Sequence, residues 1–164
     1  MTEPGEDPTG GPAVVRLATT TPETADAFAV RTEVFVGEQG VPRHLEVDEL
    51  DDTADHFVAY DGSGTAVGAG RLVVEPAGFG GAPGSTTPVG HLGRLAVRVP
   101  ARGTGLGVAL VAAIESRAAQ RGLAVIALSA QTHAVGFYER LGYTAHGGEF
   151  DDAGLPHVWM TKPL

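Results

Sequence analysis

The segment from residue 89 to residue 130 constrains the fold most, because it predicts a strand, a helix and a strand in immediate succession. VGHLGRLAVRV, residues 89–99, has the composition of a strand, and apolar residues then recur at helical spacing from residue 106 to residue 118. LAVIALSA, residues 123–130, is nearly continuous in apolar side chains, which is typical of a strand buried on both faces. A helix between two such strands predicts that the strands are parallel and joined by a right-handed crossover.

The flanking segments predict the rest of a mixed α/β (α+β) sheet. AVVRLA, residues 13–18, predicts a strand, and Thr20 with Glu23 forms a capping-box pattern that begins an amphipathic helix ending near Gly37. Further segments predict, in chain order, a hairpin of strands 55–61 and 65–75, a helix over about 133–141 and strands 143–147 and 156–161. The thirteen residues 76–88, PAGFGGAPGSTTP, predict a long hairpin loop that is either a mobile lid or a neutral insertion.

Length, composition and charge limit the classes of function. The 164 residues, 43% of them hydrophobic, are enough for one domain, predicted over residues 13–164 after an acidic, disordered leader of residues 1–12. The absence of cysteine excludes disulfides, thiolate metal sites and cysteine nucleophiles. No apolar run is long enough to span a bilayer, and a formal charge of -9 argues against nucleic acid. We therefore expect a cytoplasmic protein whose partner is a positively charged or neutral small molecule, peptide or other protein, and the sequence leaves a homodimer open.

A glycine-rich turn carries the strongest chemical signal. Arg102-Gly103-Thr104-Gly105-Leu106-Gly107 joins the strand of residues 89–99 to the following helix. Three glycines there leave backbone N–H groups unshielded, and the helix dipole adds positive potential. The pattern predicts a cradle for a diphosphate bound mostly by main chain. It is neither a P-loop, since no Gly-Lys-Ser or Gly-Lys-Thr closes it, nor a dinucleotide fingerprint, since Val108 and Leu110 stand where the third glycine would be.

Two segments together resemble a known family. LGRLAVRVPARGTGLG and AQTHAVGFYERLGYTAHG are similar to the acetyl-coenzyme A (acetyl-CoA) binding half of the GNAT superfamily of N-acetyltransferases, whose Arg/Gln-x-x-Gly-x-Gly/Ala signature maps onto Arg102, Gly105 and Gly107. VFVGEQGVPRHLEVDELDDTADHFVAY and GLPHVWM resemble the ElaA-like branch, as does Gln131, where many GNAT members carry asparagine. The resemblance implies a mostly antiparallel central sheet with helices on both faces and splayed parallel strands 4 and 5.

The resemblance also implies a reaction and the residues that serve it. It implies acetyl-CoA as co-substrate, no metal, and transfer of the acetyl group by direct attack of a primary amine on a small molecule. The alternatives are acetylation of a protein N-terminus or lysine, and a non-catalytic acetyl-CoA sensor. Tyr138 is implied as the acid that protonates the departing thiolate. The implied cofactor-binding residues are Leu95, Ala96, Val97, Arg102, Gly103, Thr104, Gly105, Leu106, Gly107, Gln131 and Phe137.

The general base is left open among several candidates. Six acids fall within ten residues, namely Glu46, Asp48, Glu49, Asp51, Asp52 and Asp55. This acidic stretch either attracts a cationic amine and takes its proton through water, or is a solvated loop. His91 and His157 are further candidates for the base. The six histidines lack a spacing that would converge on one metal ion.

Overall fold

A seven-stranded mixed sheet organises residues 12–164, the part of the chain that this computed structural model describes. The strands are β1 (Val14–Leu17), β2 (Asp55–Tyr60), β3 (Ala66–Glu75), β4 (Val89–Val97), β5 (Val125–Gln131), β6 (Thr144–Asp152) and β7 (Leu155–Pro163). Their order is β1-β2-β3-β4-β5-β7-β6, and β4 and β5 are parallel while the other neighbours are antiparallel. The predicted strand–helix–strand unit and the mixed, mostly antiparallel sheet are confirmed.

Helices cover both faces of this sheet, as the resemblance implied. The α-helices are α1 (Thr21–Arg31), α2 (Arg43–Glu46), α3 (Leu106–Gln120) and α4 (Val135–Arg140). On one face, Ala27 and Val30 of α1 pack with Val58 and Ala69 in a buried cluster. On the other face, α3 packs so closely that a Cβ added to Gly70 would lie 2.7 Å from Ile114 Cδ1. Glycine in the middle of β3 therefore brings α3 close to the sheet.

The ends of several elements differ from the predictions. The first helix is α-helical only to Arg31 and continues as a π-helix over Thr32–Glu38. Its capping box is shifted, since the Thr20 hydroxyl accepts from Glu23 N–H at 3.3 Å, but the Glu23 carboxylate accepts from the N–H of Thr19 instead of Thr20. The last helix begins after a 3₁₀ turn, Thr132–Ala134, and the last two strands are longer than predicted. The predicted leader, residues 1–12, lies outside the described residues apart from Pro12.

The long connection between β3 and β4 packs against the sheet. Ala82 is buried in a small cluster with Val89 and Ala127. The Gly81 carbonyl accepts a hydrogen bond from His146 Nε2 at 2.8 Å, because a carbonyl can only accept. Gly81 and Ala82 therefore attach the middle of this connection to the sheet, while most of its other residues are exposed. Within residues 12–164, no helix is both long and apolar enough to cross a membrane.

Candidate active site

A cleft opens where β4 and β5 separate. The two strands pair only at Gly90 with Ile126 and at His91 with Ala127. Beyond these pairs β4 continues along β3 to Val97, and β5 continues along β7 to Gln131. The predicted splaying of the parallel strands toward their C-terminal ends is confirmed. The gap leads into a cavity of about 450 Å³ that both strands line, within the size range of small-molecule sites.

A β-bulge shapes the β4 side of this cleft. The pairing of β4 with β3 shifts between the pair Gly93–Arg71 and the pair Ala96–Ala69. Arg94 lies within the bulge with φ +52°, in the left-handed region that residues other than glycine rarely adopt. The predicted cofactor residues Leu95, Ala96 and Val97 follow, and no strand pairs with them on the β5 side within the described chain. Their open edge can offer main-chain hydrogen bonds to a ligand.

The glycine-rich turn has a separate physical reason for each of its glycines. Gly103 and Gly105 have φ of +76° and +83°, which glycine adopts without strain. Gly107 lies where α3 approaches α4, since a Cβ there would be 3.3 Å from Phe137 Cζ. Gly105 is the N-cap of α3 and has no side chain to cap it, so the first N–H groups of this fifteen-residue helix, which begins at Leu106, are available to an anion.

Two side chains of this turn already have partners in the protein. Arg102 donates from Nε to the Val97 carbonyl at 2.8 Å and from Nη2 to both Glu38 carboxylate oxygens at 2.9 and 2.8 Å. The Thr104 hydroxyl donates to the Ala101 carbonyl at 2.6 Å. Among the described residues, the free donors of the turn are therefore its main-chain N–H groups and Arg102 Nη1. Nothing in the sequence signalled Glu38, which lies 64 positions before Arg102.

Tyr138 places a phenol in the cavity wall. Its side chain is buried, lines the cavity and packs edge-on against Phe137 and Tyr143, with ring centroids 5.0 and 5.8 Å away. Burial raises the pKa of Tyr138 above its usual value, and no hydrogen bond from the described residues opposes that effect. The phenol is therefore a protonated donor at neutral pH.

Gln131 lines the cavity next to the end of the π-helix. Its Nε2 donates to Gln39 Oε1 at 2.8 Å, which joins the end of β5 to the residue that follows the π-helix. Leu95, Gln131 and Tyr138 line one cavity, so the structure brings these predicted site residues together. Ala96, Val97, Phe137 and the turn of residues 102–107 lie outside that lining. Of these, Phe137 supports the turn through its contact with Gly107.

Four of the six acids in the acidic stretch pair with arginines, so the interpretation as a solvated loop is wrong for them, while attraction of a cationic amine stays a prediction. Three of its acids form ion pairs with three arginines from α1, β3 and β4. The pairs are Glu46–Arg31 (2.6 Å), Asp51–Arg31 (2.8 Å), Asp51–Arg71 (3.0 Å), Asp48–Arg71 (2.7 Å) and Asp48–Arg94 (3.2 Å). Asp55 pairs with Arg117 and Arg121. Of the six acids, only Glu49 and Asp52 are exposed.

The centre of this ion-pair cluster is inside the protein. The side chains of Arg31, Glu46 and Asp51 are 0%, 2% and 5% exposed. Burial alone would raise the pKa of Asp51, but hydrogen bonds from Arg31, from the Asp48 N–H and from Arg71, with the Arg31 charge, hold it well below its usual value. The cluster therefore fixes the segment of residues 43–52 against α1 and the sheet, and this segment forms one wall of the cavity.

Two histidines of the cavity lining have hydrogen-bond partners at Nδ1 and none at Nε2 among the described residues. His157 Nδ1 lies 2.8 Å from the Leu155 carbonyl, which can only accept, so in the neutral ring Nε2 bears the lone pair. His91 Nδ1 lies 3.1 Å from Glu75 Oε1, which favours the same tautomer. Burial lowers the pKa of His91, although Glu75 opposes the shift. Both rings line the cavity beside the indole of Trp159.

Comparisons with known proteins agree with this geometry. A family model described as an acetyltransferase (GNAT) domain matches residues 17–164. YjcF of Bacillus subtilis (strain 168), named as an uncharacterized N-acetyltransferase, is 43% identical over 138 residues, which are 84% of this chain and 90% of YjcF. An acyl-CoA N-acyltransferase from Pseudomonas aeruginosa, of known crystal structure, is 29% identical with a TM-score of 0.72, covering 92% of this chain and 97% of its own. Escherichia coli ElaA shares the fold, with a TM-score of 0.71 at 20% identity over 92% of this chain and 97% of ElaA.

Proposed function

Because this chain belongs to the GNAT family of acetyltransferases, we propose that it moves an acetyl group from acetyl-CoA to an amine of a small molecule by direct attack. The observation that carries this proposal is the single cavity between β4 and β5. Its lining includes Tyr138 and Leu95 as well as His91 and His157. An acyl donor and an amine acceptor can therefore meet there without a covalent enzyme intermediate.

The residues present fit the cofactor that the family implies. The glycine-rich turn and the N-terminus of α3 offer backbone donors and positive potential to a diphosphate. The open edge of β4 at Leu95, Ala96 and Val97 offers backbone groups to an extended amide-bearing arm. Bound acetyl-CoA supplies an acetyl group activated as a thioester. Because the binding groups belong to the main chain, a net charge of -9 does not prevent a polyanion from binding.

Tyr138 and the two histidines divide the proton transfers. When the nitrogen–carbon bond forms and the carbon–sulfur bond breaks, the amine must lose a proton and the sulfur must gain one. Tyr138 holds its proton in the wall of the cleft and donates it, or a hydrogen bond, to the sulfur. The Nε2 of His157 or of His91 accepts the proton of the amine, directly or through water. Glu46 and Asp48 are less suited as bases because arginines already neutralise them.

The first experiment follows thiol release from acetyl-CoA with each member of a panel of amines, polyamines, amino acids and peptides. The protein has no cysteine and cannot consume the thiol reagent. We expect acetylation of small amines, verified by mass spectrometry of the product. If only peptide N-termini or lysines are acetylated, the protein acetyltransferase is the correct alternative. If acetyl-CoA binds tightly and no amine is acetylated, the protein is a sensor.

The second experiment tests the cofactor site by calorimetry with coenzyme A. Gly105→Asp places a carboxylate beside the N-terminus of α3 and should abolish binding. Gly105→Asn is the matched control, because asparagine has nearly the same size, tolerates the left-handed backbone of this position and carries no charge. We expect the asparagine variant to bind at least ~10-fold more tightly than the aspartate variant, since a carboxylate repels the diphosphate. Equal affinity for both variants would contradict a diphosphate at this turn.

A further inference from the structure

Two arginines that line the cavity, Arg71 and Arg94, have donors that the ion-pair cluster does not use. Arg71 Nη1 donates to Asp48 and Asp51. Arg94 donates from Nε to the Glu46 carbonyl and from Nη2 to the Leu45 carbonyl and Asp48. Among the described residues, Arg71 Nη2 and Arg94 Nη1 have no acceptor, and both side chains line the cavity. Each of these nitrogens carries two N–H donors.

Arg71 also carries an unsatisfied donor inside the protein. Its residue is 2% exposed, and its Nε is buried with no acceptor within the described part of the chain. A guanidinium that is almost wholly buried normally has its donors paired, because an unpaired buried donor carries a desolvation penalty. The guanidinium of Arg71 is therefore incompletely paired within the described residues, and Nη2 rather than the buried Nε is the donor left for a ligand in the cavity.

The charge balance of the ion-pair cluster favours an anion as the group that accepts from these arginine donors. Arg31, Arg71 and Arg94 face Glu46, Asp48 and Asp51, so three positive charges already balance three negative ones. Burial lowers the pKa of Arg94, and the charges of Arg71 and Arg31 lower it further against the opposing effect of Asp48 and Glu46. A cation placed beside Arg94 would add to this repulsion, whereas an anion would relieve it.

We propose that the cavity recognises an acceptor bearing a carboxylate, such as an amino acid, and that Arg94 Nη1 and Arg71 Nη2 donate to that carboxylate; this rests on the acetyl transfer proposed above. Guanidinium donors match the planar geometry of a carboxylate. The aromatic side chains of Trp159, Phe150 and Phe35 line the same cavity and suit an apolar substituent. His157 or His91 then receives the proton that the amino group must lose before it attacks. The acidic stretch thus holds the arginines in place instead of attracting the amine.

The test compares three acceptors that differ at one group, namely L-phenylalanine, L-phenylalaninamide and 2-phenylethylamine, and repeats the comparison with the leucine series. The amide has the least basic nitrogen and hence the most free amine, so a preference for the amino acid cannot arise from ionisation of the amine. We expect kcat/KM for the amino acid to exceed that for either partner by ~10²-fold or more, since the arginine donors would otherwise stay unpaired. An amide or amine that is acetylated as well as the amino acid overturns the inference and leaves the acetyltransferase intact.

Arg94→Gln should remove the preference by lowering kcat/KM for the amino acid ~10²-fold more than kcat/KM for 2-phenylethylamine. Arg94→Lys keeps the positive charge but lacks the paired N–H donors of the guanidinium. Its preference for the amino acid should lie between those of the parent and the glutamine variant. Arg98→Gln is the matched control on the same segment, because Arg98 pairs with the exposed Glu33 and lies outside the cavity lining. Thermal unfolding verifies that each variant is folded. A preference that survives in Arg94→Gln overturns the role of Arg94.

A binding measurement separates this inference from the proposed function. Calorimetry with N-acetyl-L-phenylalanine and with N-acetyl-L-phenylalaninamide, each in the presence of coenzyme A, needs no turnover. We expect the carboxylate to bind at least ~10-fold more tightly than the amide in the parent protein and equally weakly in Arg94→Gln. Carboxylate-dependent binding without acetylation would reject the enzyme and keep the carboxylate site. If the two probes bind equally well, or if neither binds, the proposed carboxylate site is wrong.

Discussion

Replacing Tyr138 by phenylalanine tests whether its hydroxyl is catalytic or whether the side chain only packs in the core. The ring and its packing against Phe137 and Tyr143 are retained. The hydroxyl has no protein partner within residues 12–164, so its loss breaks no internal hydrogen bond. We therefore expect the free energy of unfolding to change by less than ~1 kcal/mol, or about 2–4 °C in Tm for a chain of this length. A proton donor in the transition state contributes ~10² to 10⁴ in rate, or about 2.7 to 5.4 kcal/mol.

The two magnitudes differ enough for one pair of measurements to distinguish them. We expect kcat of Tyr138→Phe to fall by ~10²-fold or more while KM for acetyl-CoA hardly changes, because the proton is needed only as the thiolate leaves. Tyr143→Phe is the matched control, since Tyr143 is a buried tyrosine of the same core cluster with an unpartnered hydroxyl, outside the cavity lining. Full kcat in Tyr138→Phe, or an equal loss in Tyr143→Phe, would refute the role of Tyr138.

The pH profile adds an independent measurement of the same group. The phenol acts in its protonated form, so its contribution is present below its pKa and lost above it. Because burial raises the pKa of Tyr138, the alkaline decline in kcat should lie above pH 10, the usual pKa of tyrosine. Tyr138→Phe should lack this decline. If Tyr138→Phe shows the same alkaline decline as the parent enzyme, the decline comes from a group other than Tyr138.

Further predictions concern the ion-pair cluster and the base. Asp51→Asn should lower the free energy of unfolding by ~3–5 kcal/mol at pH 7, measured by urea denaturation with the exposed Asp52→Asn as control. Because the folded-state pKa of Asp51 lies below the unfolded value of about 3.9, the difference from the parent should persist above pH 4 and shrink as the pH falls below it. Of His157→Gln and His91→Gln, the variant that removes the base should lose ~10²-fold in kcat at pH 7; parental activity in both variants would exclude both histidines as the base.

Local patterns in the sequence were sufficient for the frame of the fold. The strand–helix–strand unit and the glycines of residues 103–107 depend on neighbours in the chain, so periodicity and turn chemistry located them. The glycine pattern predicted Gly107 as part of the diphosphate cradle. The structure gives it a second role that the pattern did not predict, because its contact with Phe137 joins two helices that only the fold brings together. Tyr138 depended on the family resemblance, because a tyrosine on an amphipathic helix has no distinguishing pattern of its own.

The acceptor side could not be predicted in the same way. The partners of the acidic stretch are arginines 15 to 66 positions away, in α1, β3, β4 and the C-terminal end of α3, and no spacing rule connects them. The sequence also gave no sign of the left-handed backbone at Arg94, because arginine rarely adopts that conformation. The hydrogen bond between Gln39 and Gln131 spans 92 positions. The acidic residues were visible as a charge pattern, but the charges that neutralise them were not.

The position of Trp159 gives the protein a built-in optical probe. It is the only tryptophan of the chain and lines the cleft, with its ring centroid 5.7 Å from His91 and 5.7 Å from Phe150. Its emission therefore reports a single location, the cavity in which the proposed acyl donor and acceptor meet, without a label. The turn of residues 102–107 lies outside that cavity. Rapid mixing of an acceptor with protein already loaded with acetyl-CoA can accordingly time the arrival of the acceptor separately from the chemistry, which the thiol reagent records.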